Sequence, residues 1–372
     1  MYPLRQRSGK RQIAPYLIVL PALLLFVIFH LGPSFATIGF SFTDMTRTSY
    51  KEIKFIGLDN YREFFRPATF RDKGIAIKNS IVFTVVVTLL QNGIALAVAL
   101  VLNQKWRGRS FFRAAIFLPV LLGVTVNGLT WRLMFHPFDG PVQKIAQTVF
   151  HPTDYKLTYS SLRKLKAEGL PETTLKNLNN LKNKNFPRKQ AFLNAVEQQI
   201  GAESTEKYNE TIVRYAEAPV TLKFFNDPQM AFPLIIFVQI WQYMGWSCVI
   251  FLAGLQAIPA ELYEAAKVDG AGKWSQFHHV TFPLIAQAVT VNILLAIIGA
   301  LQTFDIIYVT TNGNFDTKTM AFYMFDQAFQ QNAWGRGGRL GFASSVATLL
   351  FVFIFVVAVI AQKYLRRREV EL

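Results

Sequence analysis

Apolar residues are gathered into six long stretches, at about 14–40, 78–102, 111–135, 231–255, 283–310 and 341–363. Phe342 to Ala361 passes without one charged residue, and Ser80 to Leu102 carries Gln91 and Asn92 as polar residues near its middle. Crossing a hydrocarbon core of about 30 Å takes about 20 apolar residues in a helix, and core helices of water-soluble proteins seldom stay apolar on every face for that length. The pattern predicts an all-α integral membrane protein with six transmembrane helices. The first stretch is too long for a cleavable leader and lacks a clean small-x-small site after it.

Residues 144–226 break the pattern. They are rich in Lys, Asn and Glu, yet leucines and other apolar residues recur at helical spacing. Leu162, Leu165 and Leu170 precede Pro171; Leu175, Leu178 and Leu181 follow every third residue; Phe192, Val196 and Ile200 follow every fourth. Small amphipathic helices packed on one another give this periodicity, whereas a disordered linker gives none. The expected division is therefore 1–143 with the N-terminal tail and helices one to three, 144–226 as a small helical insert, and 227–372 with helices four to six and a connecting loop at 256–282.

Composition agrees with this reading and charge refines it. Of 372 residues 52% are hydrophobic and 17% charged, against about 25% charged in ordinary soluble domains. The net charge of +16 invites a nucleic-acid reading or one of acidic lipid binding by a basic scaffold. Its placement argues otherwise. Residues 1–12, 103–113, 256–282 and 363–372 hold 14 Lys and Arg against 5 Asp and Glu, which is the bias of cytoplasmic edges. Arg5, Arg7, Lys10 and Arg11, then Lys105, Arg107, Arg109 and Arg113, then Lys363, Arg366, Arg367 and Arg368 share one side if there are six spans. Both termini are thereby expected in the cytoplasm and the 144–226 insert outside it. A single cysteine, Cys248, excludes an internal disulfide and a Cys-based zinc site. No phosphate-binding glycine loop, zinc-protease helix or nucleophile elbow occurs.

The loop between the fourth and fifth spans is the most informative segment. Pro259 precedes a short helix with Glu261 and Glu264 in its N-terminal half, Ala265 and Ala266 form a small-residue face, and Asp269-Gly270 makes a turn. Trp274, Phe277 and Val280 give a second short helix an apolar side. A protruding helix of this kind suits a groove in a partner, although a plain connecting loop has the same length. Here Glu264-Ala265-Ala266, Asp269-Gly270-Ala271, Val280 and Phe282-Pro283 resemble the coupling signature of permease subunits of binding-protein-dependent ABC importers, in the MalF-like position of the carbohydrate-uptake branch. Gly57-Leu58-Asp59-Asn60-Tyr61, Leu301-Gln302-Thr303-Phe304-Asp305 and Gly341-Phe342-Ala343-Ser344-Ser345 resemble the same branch, and only 144–226 falls outside the likeness. Two positions depart from the pattern: Phe282 stands for a leucine, and Asn312-Gly313-Asn314-Phe315 for a Gly-Gly-Pro turn.

The resemblance implies a permease without catalytic residues or a cofactor of its own, in a bacterial-type inner membrane. ATP and magnesium would belong to a cytoplasmic ABC ATPase dimer. The other implied partners are a second permease in a heterodimer and an extracytoplasmic sugar-binding protein, with membrane lipid around the spans and no nucleic acid. Glu264, Ala265, Ala266, Asp269 and Gly270 would couple to the ATPase, with Gly270 making the turn and Asp269 capping or positioning the second short helix.

Polar groups inside spans face a path or another helix, because lipid cannot satisfy them. Gln242, Asn292, Gln302, Asp305 and Tyr308 are the candidates for a sugar path, alongside Gln239, Trp241, Tyr243, Trp246 and Ser247. On a continuous helix Gln302, Asp305 and Tyr308 would share one face. The same residues could instead hold helices together. Asn60-Tyr61-Arg62-Glu63 reads as a capping-box variant opening a short surface helix, and the insert is expected to meet the sugar-binding protein. The alternative to an importer permease is a stand-alone secondary transporter or channel for a polar solute.

Overall fold

The computed structural model describes residues 14–46, 53–66, 70–137, 139–150, 153–184, 186, 189–219, 222–329 and 338–367. The N-terminal basic residues and Arg368 lie outside this set. The chain forms two compact units, Met1–Leu129 with Ala231–Leu372, and Thr130–Met230.

The first unit begins with α1 (Ala14–Phe26) and α2 (Gly32–Phe40), joined by a π-helical turn at Val27–Leu31. α3 (Asp59–Phe65) is short, and α4 (Phe70–Asn103) is 34 residues long. At 1.5 Å per residue α4 measures about 50 Å, so it outreaches the hydrocarbon. α5 (Arg109–Leu121) and α6 (Val124–Met134) follow, and the unit boundary falls within α6.

The second unit holds α7 (Pro141–Phe150), β1 (Thr153–Tyr155), α8 (Tyr159–Ala167), α9 (Glu172–Leu178), α10 (Lys189–Ile200), α11 (Ala202–Ala216) and β2 (Glu217–Pro219). After it the first unit resumes with α12 (Ala231–Gln256), α13 (Ala260–Val268), α14 (Lys273–Gln276), α15 (Phe282–Leu284) and α16 (Ala286–Leu301). It closes with α17 (Asp305–Thr310), α18 (Met320–Phe329) and α19 (Leu340–Arg366).

By length and composition, four helical stretches can cross a membrane continuously: Tyr16–Phe40, Asp72–Asn103, Ala231–Gln256 and Leu340–Arg366. The other two expected spans are bent. α5 and α6 meet at 99°, and the Lys273–Leu284 stretch meets α16 at 66°. The expected third span, 111–135, is therefore two half-helices. Pro119 and Gly123 flank the bend, and proline removes a donor from the ladder. The fifth, 283–310, is interrupted again between Leu301 and Asp305.

α4 packs along α12 and α16, α12 against α5, and α19 against α2, α16 and α18. Where α5 crosses α12, a Cβ on Gly245 would strike the backbone carbonyl of Ile116. A small residue there lets two helices approach backbone to backbone. At one end of the unit Leu102, Leu255, Ile258 and Ile285 form a buried cluster. Arg113 reaches the same end and donates to the Leu102 carbonyl at 3.0 Å. A second cluster joins Phe64, Ala76, Met320, Tyr323, Phe342 and Val346, from α3, the start of α4, α18 and the start of α19.

The structure replaces the expected capping box at Asn60 with a different device. Asn60 lies inside α3, not before it, and its amide donates to the carbonyls of Ser41 (2.9 Å) and Thr43 (2.8 Å). The Tyr61 and Ser41 hydroxyls share a 2.7 Å hydrogen bond. α3 thus satisfies the chain end leaving α2. The carbonyls of Phe64 in its last turn and of Arg66 just past its end accept from the buried Lys73 ammonium, a cation placed where the helix dipole favours one. Gly341 completes the junction. Its N–H donates to the Met45 carbonyl at 2.8 Å, and a Cβ would collide with the Thr43 carbonyl.

The 130–230 unit has its own core of Tyr155, Leu157, Leu165, Leu170, Leu178, Leu181, Phe192, Val196, Ile212, Val213 and Ala216. Leu162, Leu175 and Ile200 pack on it partly buried. The helical periodicity thus reports a real core. Thr158 opens α8 with a capping box through Ser161. A two-stranded ladder was not expected: β1 pairs antiparallel with β2, Thr153 opposite Pro219 and Tyr155 opposite Glu217. It closes the chain entry and exit of the α8–α11 region. On its surface Lys166 meets Glu172 at 2.7 Å and holds that carboxyl below its ordinary range.

The bend between α5 and α6 is held by one side chain. Buried Asn127 donates to the carbonyls of Pro119 (2.8 Å) and Leu122 (3.4 Å). Asn127→Leu removes both donors. The expected loss is about 1–3 kcal/mol, the cost of buried acceptors left unpaired, seen as a lower unfolding midpoint of the detergent-purified protein. An unchanged midpoint would mean the bend is held by something else.

Candidate functional site

Two features of the first unit carry functional geometry: a cavity among the spans and an exposed helical hairpin. The cavity has a volume of about 550 Å³. Its walls come from α4, α12, α16, the α5–α6 bend (Val120, Val124) and the break after α16 (Gln302–Ile306). Broken spans create it, since both interruptions expose side chains and loop backbone that a straight helix would bury.

Of the expected path residues, Asn292, Gln302 and Asp305 line this cavity together with Gln239, Tyr243 and Trp246. Gln242 and Tyr308 do not. Gln242 is 1% exposed and turned into the helix packing, while Tyr308 stacks on Phe304 (5.5 Å) and meets Phe325 edge-on (5.4 Å). The expected common helical face of Gln302, Asp305 and Tyr308 does not exist, because α16 ends at Leu301 and α17 begins at Asp305. Gln302 caps α16 and Asp305 opens α17, and the break itself brings both to the cavity.

A polar seam backs the cavity. Gln91 of α4 donates to the Ser247 hydroxyl at 2.9 Å, and Asn292 of α16 donates to the Ser247 carbonyl at 3.1 Å. Gln91 is visible in the sequence as a polar residue in an apolar run, but nothing there pairs it with Ser247. Asp305 makes no ion pair among the described residues. No group of metal-ligating residues is present among the described residues.

Outside the break, Asn312, Gly313, Phe315 and Asp316 all adopt positive φ, between 51° and 71°. This is the position where the sequence departs from Gly-Gly-Pro. The strained loop is clamped. Asn79 of α4 donates to the Asp316 and Lys318 carbonyls, and the Thr311 and Thr317 hydroxyls pair at 2.7 Å. A Cβ on Gly313 would meet the Phe322 ring.

The hairpin is α13, a tight turn and α14. No residue of α13 is buried. Glu264 and Ala265 are exposed, Ala266 is half-buried, and Val268 and Trp274 are 88% and 74% exposed. The Glu264 side chain makes no ion pair among the described residues. The turn is a Schellman motif: Ala271 N–H donates to the Ala266 carbonyl (2.9 Å) and Gly270 N–H to the Lys267 carbonyl (3.0 Å). Gly270 sits at φ +78°, the left-handed conformation that the motif needs.

Asp269 does not cap the second helix as expected. It is the C-cap of α13, and α14 starts at Lys273 after Gly272, with no side-chain cap. The second helix is also interrupted, because a π-helical turn at Phe277–Thr281 separates α14 from α15. Tyr263 and Thr281 share a 3.0 Å hydroxyl contact that ties the two arms together. Phe282 stacks with His278, so the departure from leucine extends an aromatic group rather than breaking the packing.

Residues 91–370 match the family described as binding-protein-dependent transport system inner membrane component. The arabinooligosaccharides transport system permease protein AraP of Bacillus subtilis is 26% identical over 95% of this chain and 88% of its own length. The trehalose/maltose transport system permease protein MalF of Thermococcus litoralis is 26% identical over 95% of this chain and 94% of its own. The fold is similar to a chain of a bacterial ABC transporter involved in the import of the acidic polysaccharide alginate, with a TM-score of 0.65, 19% identity and 96% of both chains covered.

A methyl group on Gly270 would meet nothing within 4 Å. Gly270→Ala should therefore cost only backbone strain, about 1–2 kcal/mol, and its effect should stay local. Hydrogen exchange should quicken at Asp269–Gly272 and nowhere else. Loosening that spreads to α12 or α16 would show that the turn carries packing as well.

Proposed function

The chain belongs to the family of binding-protein-dependent transport system inner membrane components, and we propose that it forms half of the translocation path of an ATP-driven sugar importer, with oligosaccharides as cargo. The observation that carries the reading is the exposed α13–α14 hairpin. It is locally well made yet packs little of itself onto its own chain, as a part built to be gripped by another protein does. A stand-alone transporter has no need of such a part. The cavity supports the cargo: its walls mix amides, a carboxylate and the rings of Tyr243 and Trp246, which offer hydroxyl partners and flat apolar faces together.

In this reading a second, different permease supplies the other half of the path, and a pair of ATPase subunits binds ATP and magnesium beneath them. Glu264, Ala265 and Ala266 meet the ATPase, while Asp269 and Gly270 shape the turn. The Leu102–Ile258–Ile285 end faces the cytoplasm with both chain termini, in keeping with Lys363 and Arg366 in the last turn of α19. The 130–230 unit lies outside and receives a sugar-binding protein. ATP-driven closure of the ATPase pair biases a two-state equilibrium between inward-open and outward-open forms, and the loaded binding protein biases it from the other side.

Two experiments test these assignments. Glu264→Lys should reduce ATP-driven uptake by the reconstituted complex about tenfold or more, as reversed charges do at tight interfaces, and should weaken co-purification of the ATPase. Unaltered uptake and assembly would remove Glu264 from the contact. Because Tyr155 and Glu217 face each other across the ladder, residues 156–216 can be replaced by a two-residue turn. The shortened importer should keep its ATPase subunits but lose stimulation by the binding protein. Full stimulation would place that docking surface elsewhere.

A further inference from the structure

The cavity carries a charge signature that narrows the cargo. Among the described residues its walls include no Lys, Arg or His, and Asp305 supplies the one formal charge. That carboxylate is exposed to the cavity and has no ion-pair partner among the described residues. A charge held among apolar spans is felt far more strongly than one in water.

We propose that Asp305 makes this half of the path selective for uncharged saccharides by excluding acidic ones. The inference rests on the importer reading above and deepens it. Likeness of fold to a transporter of an acidic polysaccharide does not extend to the cargo, because a carboxylate-bearing sugar would meet Asp305 with no cation in the lining to offset it.

The test has two arms on the full importer complex. In the first, Gln302→Cys places a thiol on the cavity wall, and its modification is timed with cationic, neutral and anionic methanethiosulfonates. The wild-type chain, whose single cysteine Cys248 is buried, gives the background. The cationic reagent should react about tenfold or more faster than the anionic one after correction for their intrinsic rates, and Asp305→Asn should bring the ratio close to one. Equal rates in the Asp305 protein would overturn the inference and leave the importer reading standing.

The second arm measures ATP-driven uptake of neutral xylo-, arabino- and malto-oligosaccharides and of their uronate-bearing counterparts, with the binding protein at saturating concentration. Neutral sugars should enter and acidic ones should not, and Asp305→Asn should raise the acidic-to-neutral ratio about tenfold. Entry of acidic sugars at the neutral rate in wild type, or a ratio unmoved by Asp305→Asn, would overturn the inference. Transport of a non-sugar solute with no saccharide entering at all would overturn the importer reading and the inference together.

Discussion

A chain in lipid must satisfy its own backbone, and that constraint governs where this one can depart from a straight helix. Each unpaired carbonyl in hydrocarbon costs several kcal/mol, so a span may break only where another group takes over. The α5–α6 bend is permitted by Asn127, whose amide reaches back to Pro119 and Leu122. The break after Leu301 is permitted by threonines. Thr303 donates to the Gly299 carbonyl, and Thr319 donates to the Thr303 carbonyl from outside the helix. The cavity lies against both interruptions. Polar side chains that look like candidate ligands in the sequence are divided between two tasks: some face the cavity, and others make its irregular walls affordable.

The junction of α2, α3 and α19 follows the same logic at a smaller scale. Gly57, at φ +59°, turns the chain into α3. Asn60 and Tyr61 then pair with the end of α2, Lys73 takes the carbonyls of α3, and the Glu63 carboxylate pairs with Arg339 just before α19. Arg339 also lies over the Phe342 ring, 4.4 Å from its centroid. The motifs at Gly57–Tyr61 and Gly341–Ser345 are therefore two halves of one joint between the first and last spans. Apart in sequence they read as separate loop signals, and only the fold shows that Gly341 lacks a side chain because the Thr43 carbonyl occupies that space.

Much of this architecture was legible in the sequence, and what was missed has a common cause. Apolar runs located the four continuous helices long enough to cross a membrane and both bent pairs, because hydrocarbon imposes a length on them regardless of neighbours. Helical spacing picked out the core of the polar insert, from Leu165 to Val196, because an amphipathic helix encodes its buried face locally. Periodicity failed where a partner distant in the chain decides the outcome. Gln302, Asp305 and Tyr308 fit one helical face, but Thr319 stabilises a break between them. Asn60 fits a capping box, but the carbonyls of Ser41 and Thr43 claim its amide. Gln242 has the chemistry of a path residue, yet helix packing buries it. Gly270 was legible for the opposite reason: its role is set by the turn it sits in, within five residues.

The two features joined by this chain sit on the same helices, and this shapes how force can pass between them. α12 runs unbroken from Ala231 to Gln256. It carries Gln239, Tyr243 and Trp246 on the cavity and leads through the three non-helical residues 257–259 into α13. From Trp246 to Gln256 is about 15 Å of continuous helix, with no place to absorb a displacement. The return route is softer. Between α14 and α16 lie a π-helical turn and a 66° bend, where small changes of backbone angle can take up motion. The two routes are fastened near their base, since Tyr263 meets Thr281 and Gly254 allows α12 to sit against Ala288. In the proposed importer, a push on the hairpin would meet a stiff strut on one side and a hinge on the other. Such an arrangement tilts one cavity wall against the next instead of translating both, and tilting is what a path needs if it is to open at one end while closing at the other.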